Sequence, residues 1–247
     1  MASSDAGDQS PWFFRYRAGI IAASYFIIFI LGYAIQAAIF NSVEPTFSLL
    51  GRHLGARGIH AAAIGAATIV GCAYALRLWA SAYHAPGVVL AGSIVTSHLT
   101  AAGPYRYTRN PLYLTNIVLA LGVGLIGPPV VTLLLIAWNT FFSYRLSAIE
   151  EAFLGRAQGT AYERYCRAVP RMLPRFSPPD YPVDPAKPDW RVGFRTELFS
   201  LAFFLVMIYF AVGEIIGLPL YYVGPVFGMV ALAVVFGSSL FGSRKRS

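Results

Sequence analysis

Residues Pro111–Tyr144, PLYLTNIVLALGVGLIGPPVVTLLLIAWNTFFSY, decide how this chain folds. The run carries no charged side chain, so it is apolar enough to lie in a bilayer. It is interrupted at Gly127-Pro128-Pro129. Proline lacks a backbone N–H and its ring clashes with the preceding turn, so a straight helix does not continue through this point. The run therefore reads as a tight hairpin of two short helices, the third and fourth of the chain. At ~1.5 Å per residue each half falls short of the ~30 Å hydrocarbon core. The second half is accordingly expected to continue past the membrane edge, through Arg145 to Glu151.

The rest of the sequence fits a membrane setting. Of 247 residues, 57% are hydrophobic and only 12% charged, and the mean hydropathy is +0.59. Soluble domains carry about a quarter charged residues. Ala18–Phe40 reads as the first span. Ile59–Tyr83 reads as the second, with Arg77 near its end, where a long side chain can snorkel. Leu198–Gly213 and Ile215–Gly242 read as a second hairpin around Gly217–Pro219. The expected fold is an all-α, polytopic membrane helical bundle of about six transmembrane helices. Three segments follow from it. Residues 1–58 hold the N-terminal tail, first helix and external loop. Residues 59–180 hold helices two to four and a cytoplasmic segment. Residues 181–247 hold a Pro-rich strap and the C-terminal hairpin.

Charge placement supports this map. With both termini on the cytoplasmic side, only Arg52 and Arg57 of the 19 Lys and Arg residues fall outside, and Arg77 lies within a helix. This is the asymmetry of the positive-inside rule. It accounts for the net charge of +8 without nucleic acid, and it gives a basic face that attracts anionic lipid. The N-terminal MASSDAGDQS is not the basic n-region of a cleaved signal, so the first helix is expected to be retained. Simple topology without a sorting signal points to a bacterial inner membrane. Cys72 and Cys166 form no disulfide framework. His84 and His98 lack the companions of a metal site, and no metal is expected. A Gly-rich dinucleotide loop, a P-loop and a nucleophile elbow are all missing.

A short hairpin brings its two ends together. Ser97–Asn110, before it, and Arg145–Glu151, after it, should therefore face each other at the cytoplasmic side. Each residue there has a plain reading and a chemical one. Arg106 and Arg109 are either interfacial anchors or clamps for a carboxylate or phosphate. Asn110-Pro111 is a helix cap followed by proline at the first helical position, and its free N–H groups suit a carboxylate. Tyr105, Tyr107 and Tyr113 are belt residues or cation-binding faces. Glu150-Glu151 is the sharpest feature, since adjacent carboxylates near a helix C-terminus oppose the helix dipole. Its alternative is a solvated helix end beside Arg145 and Arg156.

GPYRYTRNPLYL, the Gly-Pro-Pro hairpin, the Glu-Glu pair and GTAYERYCRAVPRMLP, in that order, resemble the isoprenylcysteine carboxyl methyltransferases and related phospholipid methyltransferases over about residues 60–176. The resemblance implies S-adenosylmethionine as the methyl donor, held on the cytoplasmic side, and a lipid-like acceptor arriving from the bilayer. It places the donor-binding stretch on Ser97, His98, Leu99 and Thr100, with Tyr105 at the turn. It adds Asn110, Pro111, Leu112 and Tyr113 at the helix start, and Glu150 with Glu151 as the acidic contact. The family's acceptor-side arginine position, four before that glutamate, is Leu146 here, and Arg145 lies one place earlier. Arg145, Glu150 and Arg109 are the expected catalytic group. Asn110 stands where the family usually has histidine, which argues against prenylcysteine as acceptor. Methyl transfer from a sulfonium is an in-line displacement, so positioning and exclusion of water do most of the work.

Two other readings use the same residues. A membrane sterol-reductase-like enzyme using NADPH would draw on Arg164, Arg167 and Arg171. A non-enzymatic protein would use the polar patch to dock lipid headgroups or a partner. The GxxxG spacings Gly213–Gly217 and Gly224–Gly228 suit close helix packing, hence a homodimer through the C-terminal helices.

Overall fold

The computed structural model of the chain describes residues 11–84, 99–177, 179–182 and 185–218. Among these it is helical, with no strand. The helices are α1 (Trp12–Arg15), α2 (Arg17–Phe40), α3 (Thr46–Gly51), α4 (Gly55–Ser81), α5 (Pro111–Gly124), α6 (Pro129–Gln158), α7 (Thr160–Ala168), α8 (Trp190–Thr196) and α9 (Leu198–Ile215). Among the described residues, four stretches are long and apolar enough to cross a membrane: Arg17–Phe40, Thr46–Ser81, Pro129–Gln158 and Leu198–Ile215. Pro111–Gly124 is a shorter apolar helix. The chain is a multi-pass membrane protein. Nearly all of the expected sixth helix lies outside the described residues.

The hairpin forms where the sequence places it. Pro111 and Pro129 both occupy first helical positions, where the missing N–H costs nothing. At ~1.5 Å per residue, the 14 residues of α5 reach about 21 Å and the 30 of α6 about 45 Å. The fourth helix thus runs beyond Glu151 to Gln158.

The chain divides into two units. One comprises Ile21–Gly71, Ala120–Leu135 and Phe199–Ser247. It contains the hairpin turn, whose carbonyls would be orphaned in lipid, where each unpaired backbone group is costly. Thr46 and Phe47 supply the donors: their N–H groups bond the carbonyls of Gly127 (2.8 Å) and Leu125 (3.0 Å). Thr132 Oγ1 donates to the Gly124 carbonyl at 2.7 Å. A Cβ on Gly124 would lie 2.9 Å from Thr132 Cα, so the two helices meet too closely there for a side chain. The stretch expected as an external loop, 41–58, is partly helical. That segment holds α3, a 3₁₀ turn at Arg52–Leu54 and the start of α4, because the turn needs its donors.

The other unit comprises Met1–Ile20, Cys72–Leu119 and Ile136–Leu198. It carries the polar residues singled out above. Here α7 turns Tyr162 and Tyr165 inward, where they pack with Ala101 and Val169 and are flanked by Leu99. Asp189 caps α8, accepting hydrogen bonds from the N–H groups of Arg191 (2.9 Å) and Val192 (3.2 Å).

The Gly213–Gly217 spacing does not run along one helix face. The helix ends at Ile215, and Gly217 has φ +73°, a left-handed turn conformation. Gly224–Gly228 lies outside the described residues.

Candidate functional site

The approach to α5 is built on Gly103. Its φ of +55° is left-handed, and a Cβ there would lie 2.3 Å from the Tyr83 ring. A 3₁₀ turn over Gly103–Arg106 follows and buries Tyr105. The Tyr105 hydroxyl and His84 Nε2 are 2.5 Å apart, and the Tyr165 hydroxyl donates to the Tyr105 carbonyl at 2.6 Å. Burial lowers the His84 pKa to about 4, outweighing the nearby Glu197 carboxylate, which acts to raise it. His84 is therefore neutral at pH 7. Burial, with Glu150 adding to it, holds the Tyr105 hydroxyl well above its ordinary value, so it keeps its proton.

The segment after α7 is stitched onto this approach through main-chain atoms. Arg109 N–H donates to the Pro170 carbonyl (2.9 Å) and Arg175 N–H to the Tyr107 carbonyl (3.0 Å). Thr108 Oγ1 donates to the Met172 carbonyl at 3.0 Å.

The two ends of the hairpin meet through the Glu150-Glu151 pair, whose members point ~100° apart on the helix. Glu151 is enclosed by cations. Arg109 Nε and Nη2 donate to its two oxygens at 3.1 and 3.3 Å. Arg171 Nε and Nη2 donate to Oε2 at 2.9 and 2.6 Å, and Asn110 Nδ2 donates to Oε1 at 2.7 Å. Arg109 Nη1 also donates to the carbonyls of Cys166 (2.8 Å) and Val169 (2.9 Å). The remaining Asn110 amide proton goes to the Arg171 carbonyl at 3.0 Å. The Glu151 hydrogen bond also raises the already high Arg171 pKa.

Glu150 meets a different partner. The Tyr113 hydroxyl donates to its Oε2 at 2.9 Å, and Arg17 lies within electrostatic reach. Two adjacent carboxylates thus differ in their direct partners: Glu151 is bonded by two guanidinium groups, Glu150 by a tyrosine hydroxyl.

The remaining expected site residues are scattered. Ser97 and His98 lie outside the described residues. Leu99 packs on the tyrosine cluster and Thr100 is half-buried. Pro111 is buried, Leu112 is half-buried, and the Leu112 carbonyl faces Arg77. Arg145 is exposed and Leu146 fully buried, so the position four before Glu150 offers a packed methyl surface. His84, Thr108 and Arg171 were missed as parts of one structure. For Arg171 the signal existed, as a cation just past α7, but its partner Glu151 did not show in the sequence. Arg77 does not snorkel: it pairs with Glu197.

Residues 55–161 match the family model described as phospholipid methyltransferase. Over 79 residues the chain is 42% identical to a protein of Schizosaccharomyces pombe (strain 972 / ATCC 24843) named Protein-S-isoprenylcysteine O-methyltransferase, an alignment covering 31% of this chain and 33% of that relative. The chain thus spans about a third of the length of the curated relative it matches. No solved structure matches. Both matches support the family resemblance that the motifs carry.

Proposed function

We propose that this chain, whose residues 55–161 carry the phospholipid methyltransferase pattern, transfers a methyl group from S-adenosylmethionine to a lipid-like acceptor at the cytoplasmic leaflet of a membrane. The single observation behind this reading is the contrast between Glu150 and Glu151. Glu151 already has its counter-charges. Glu150, beside the Tyr113 ring and hydroxyl, is an anionic surface suited to a cationic ligand. The chemistry of the residues present therefore fits a sulfonium-bearing nucleotide, which when bound would supply an electrophilic methyl group.

In this reading Glu150 and Tyr113 take the cationic end of the donor. The first-turn N–H groups of α5, at Leu112 and Tyr113, suit its carboxylate. The resemblance adds Ser97, His98, Leu99 and Thr100 to the donor side. Tyr105, pinned by His84 and Tyr165, shapes the turn that leads there. Arg109, Asn110 and Glu151 fix α5 against α6, since their side chains are already bonded to one another. Exposed Arg145 is the candidate cation for the acceptor side. A thiolate or carboxylate acceptor needs no proton removed, and an amine must be neutral, so orientation and exclusion of water suffice. Both termini on the cytoplasmic side and a bacterial inner membrane complete the reading.

The NADPH alternative needs free cations, and Arg171 is engaged with Glu151. Titration of the purified chain with S-adenosylhomocysteine and, separately, with NADPH tests the choice. Binding of the first alone is expected; binding of NADPH alone overturns the reading. Lipid extract incubated with labelled donor then identifies the acceptor by its methylated product.

A further inference from the structure

The family-model match ends at residue 161, yet an ion pair reaches from beyond it to the start of α5. Glu197, between α8 and α9, is only 2% exposed. Its Oε2 accepts from Arg77 Nε, and its Oε1 accepts from Ser81 Oγ at 2.6 Å. The other face of the Arg77 guanidinium addresses α5. Nη1 donates to Asn116 Oδ1 at 2.7 Å, and to the Leu112 carbonyl and Thr115 Oγ1 at 3.3 Å each. These three acceptors flank Tyr113, the residue that meets Glu150.

The approach of Glu197 to Arg77 is fixed by close packing. Asp189 N–H donates to the Ala82 carbonyl at 2.7 Å. A Cβ on Gly193 would lie 2.9 Å from the Leu78 carbonyl oxygen and 3.1 Å from Ala82 Cβ, so α8 sits against the end of α4 backbone to backbone. A charge inside an apolar helix, as Arg77 is in α4, is costly to retain, and residues of this kind are most often functional.

We propose that Glu197 is a positioning residue for the donor site, acting through Arg77 to hold the first turns of α5 so that Tyr113 stays aligned with Glu150. This rests on the methyltransferase reading above and gives the segment beyond residue 161 a role in it. Glu197 sets the orientation of the guanidinium, and the guanidinium holds the Leu112 carbonyl and the Asn116 side chain.

The test uses the full chain in lipid nanodiscs, with two variants, Glu197→Gln and the charge-free double variant Arg77→Met/Glu197→Leu. Replacing both members of a buried pair by apolar side chains commonly restores or raises stability, whereas losing one member lowers it. The double variant is therefore expected to melt at or above the wild-type temperature. Its affinity for S-adenosylhomocysteine should nevertheless be about tenfold weaker. Amide hydrogen exchange at Leu114, Thr115 and Asn116 should be about tenfold faster in the double variant. A double variant that regains wild-type affinity and wild-type exchange along with its stability overturns the proposal, leaving the pair as a tether between helices. If the wild-type chain binds no S-adenosylhomocysteine, the methyltransferase reading fails. The exchange measurement then still decides whether Glu197 braces α5.

Discussion

Replacing Glu151 by alanine and replacing Glu150 by alanine should damage different properties. The first change removes the acceptor for two Arg109 bonds, two Arg171 bonds and one from Asn110. The Arg109 side chain is 12% exposed and would be left without its carboxylate, a loss of about 3–5 kcal/mol for a buried pair. Arg171 is 40% exposed, so water takes over much of its share and it adds at most about 1 kcal/mol. The loss is therefore about 3–6 kcal/mol. At about 2–4 °C per kcal/mol for a chain of this size, the melting temperature falls by about 6–24 °C. Glu150→Ala removes the hydrogen bond from Tyr113, about 1 kcal/mol, and lowers melting by only a few degrees. Its effect on S-adenosylhomocysteine binding is the large one, about a hundredfold, or ~3 kcal/mol. Thermal melts and binding isotherms on both variants, in one detergent at one pH, give the comparison. Equal losses of stability, or wild-type donor affinity in Glu150→Ala, would refute the division of labour between the two glutamates.

Two further outcomes are expected. His84 has its folded pKa at about 4 against an ordinary 6.5, so the unfolded chain binds more protons between those values. Stability should rise with pH through this window, and the stability lost on acidification from pH 6.5 to 4, up to about 3 kcal/mol, should shrink in His84→Asn melts recorded against pH. Gly103→Ala places a Cβ in a left-handed conformation and against the Tyr83 ring, so it should cost about 1–3 kcal/mol by chemical denaturation; an unchanged midpoint would show that the turn relaxes freely.

The hairpin was legible because proline leaves a local mark: Gly127-Pro128-Pro129 announces where the chain turns, and helix length then requires α6 to overrun the membrane edge. That the ends of the hairpin meet followed from its shortness. What the sequence could not show was partner choice. Glu150 and Glu151 are chemically identical and adjacent, and only the helical rotation between them decides that one meets tyrosine and the other arginine. Arg77 looked like a snorkelling residue since its acid is 120 positions away. The α3 helix was hidden for a similar reason, because what orders it is the unpaired backbone of a turn some 80 residues later, at Gly127.

The neighbouring glutamates have a consequence for how such a chain can change over generations. Their directions are counted along α6 from Pro129, where the helix begins. A single residue inserted between Pro129 and Glu150 would rotate everything after it by ~100° and deliver each carboxylate to the wrong neighbour. Substitutions in this helix can therefore accumulate one at a time, while its length is locked, and indels among descendants of this sequence should collect elsewhere.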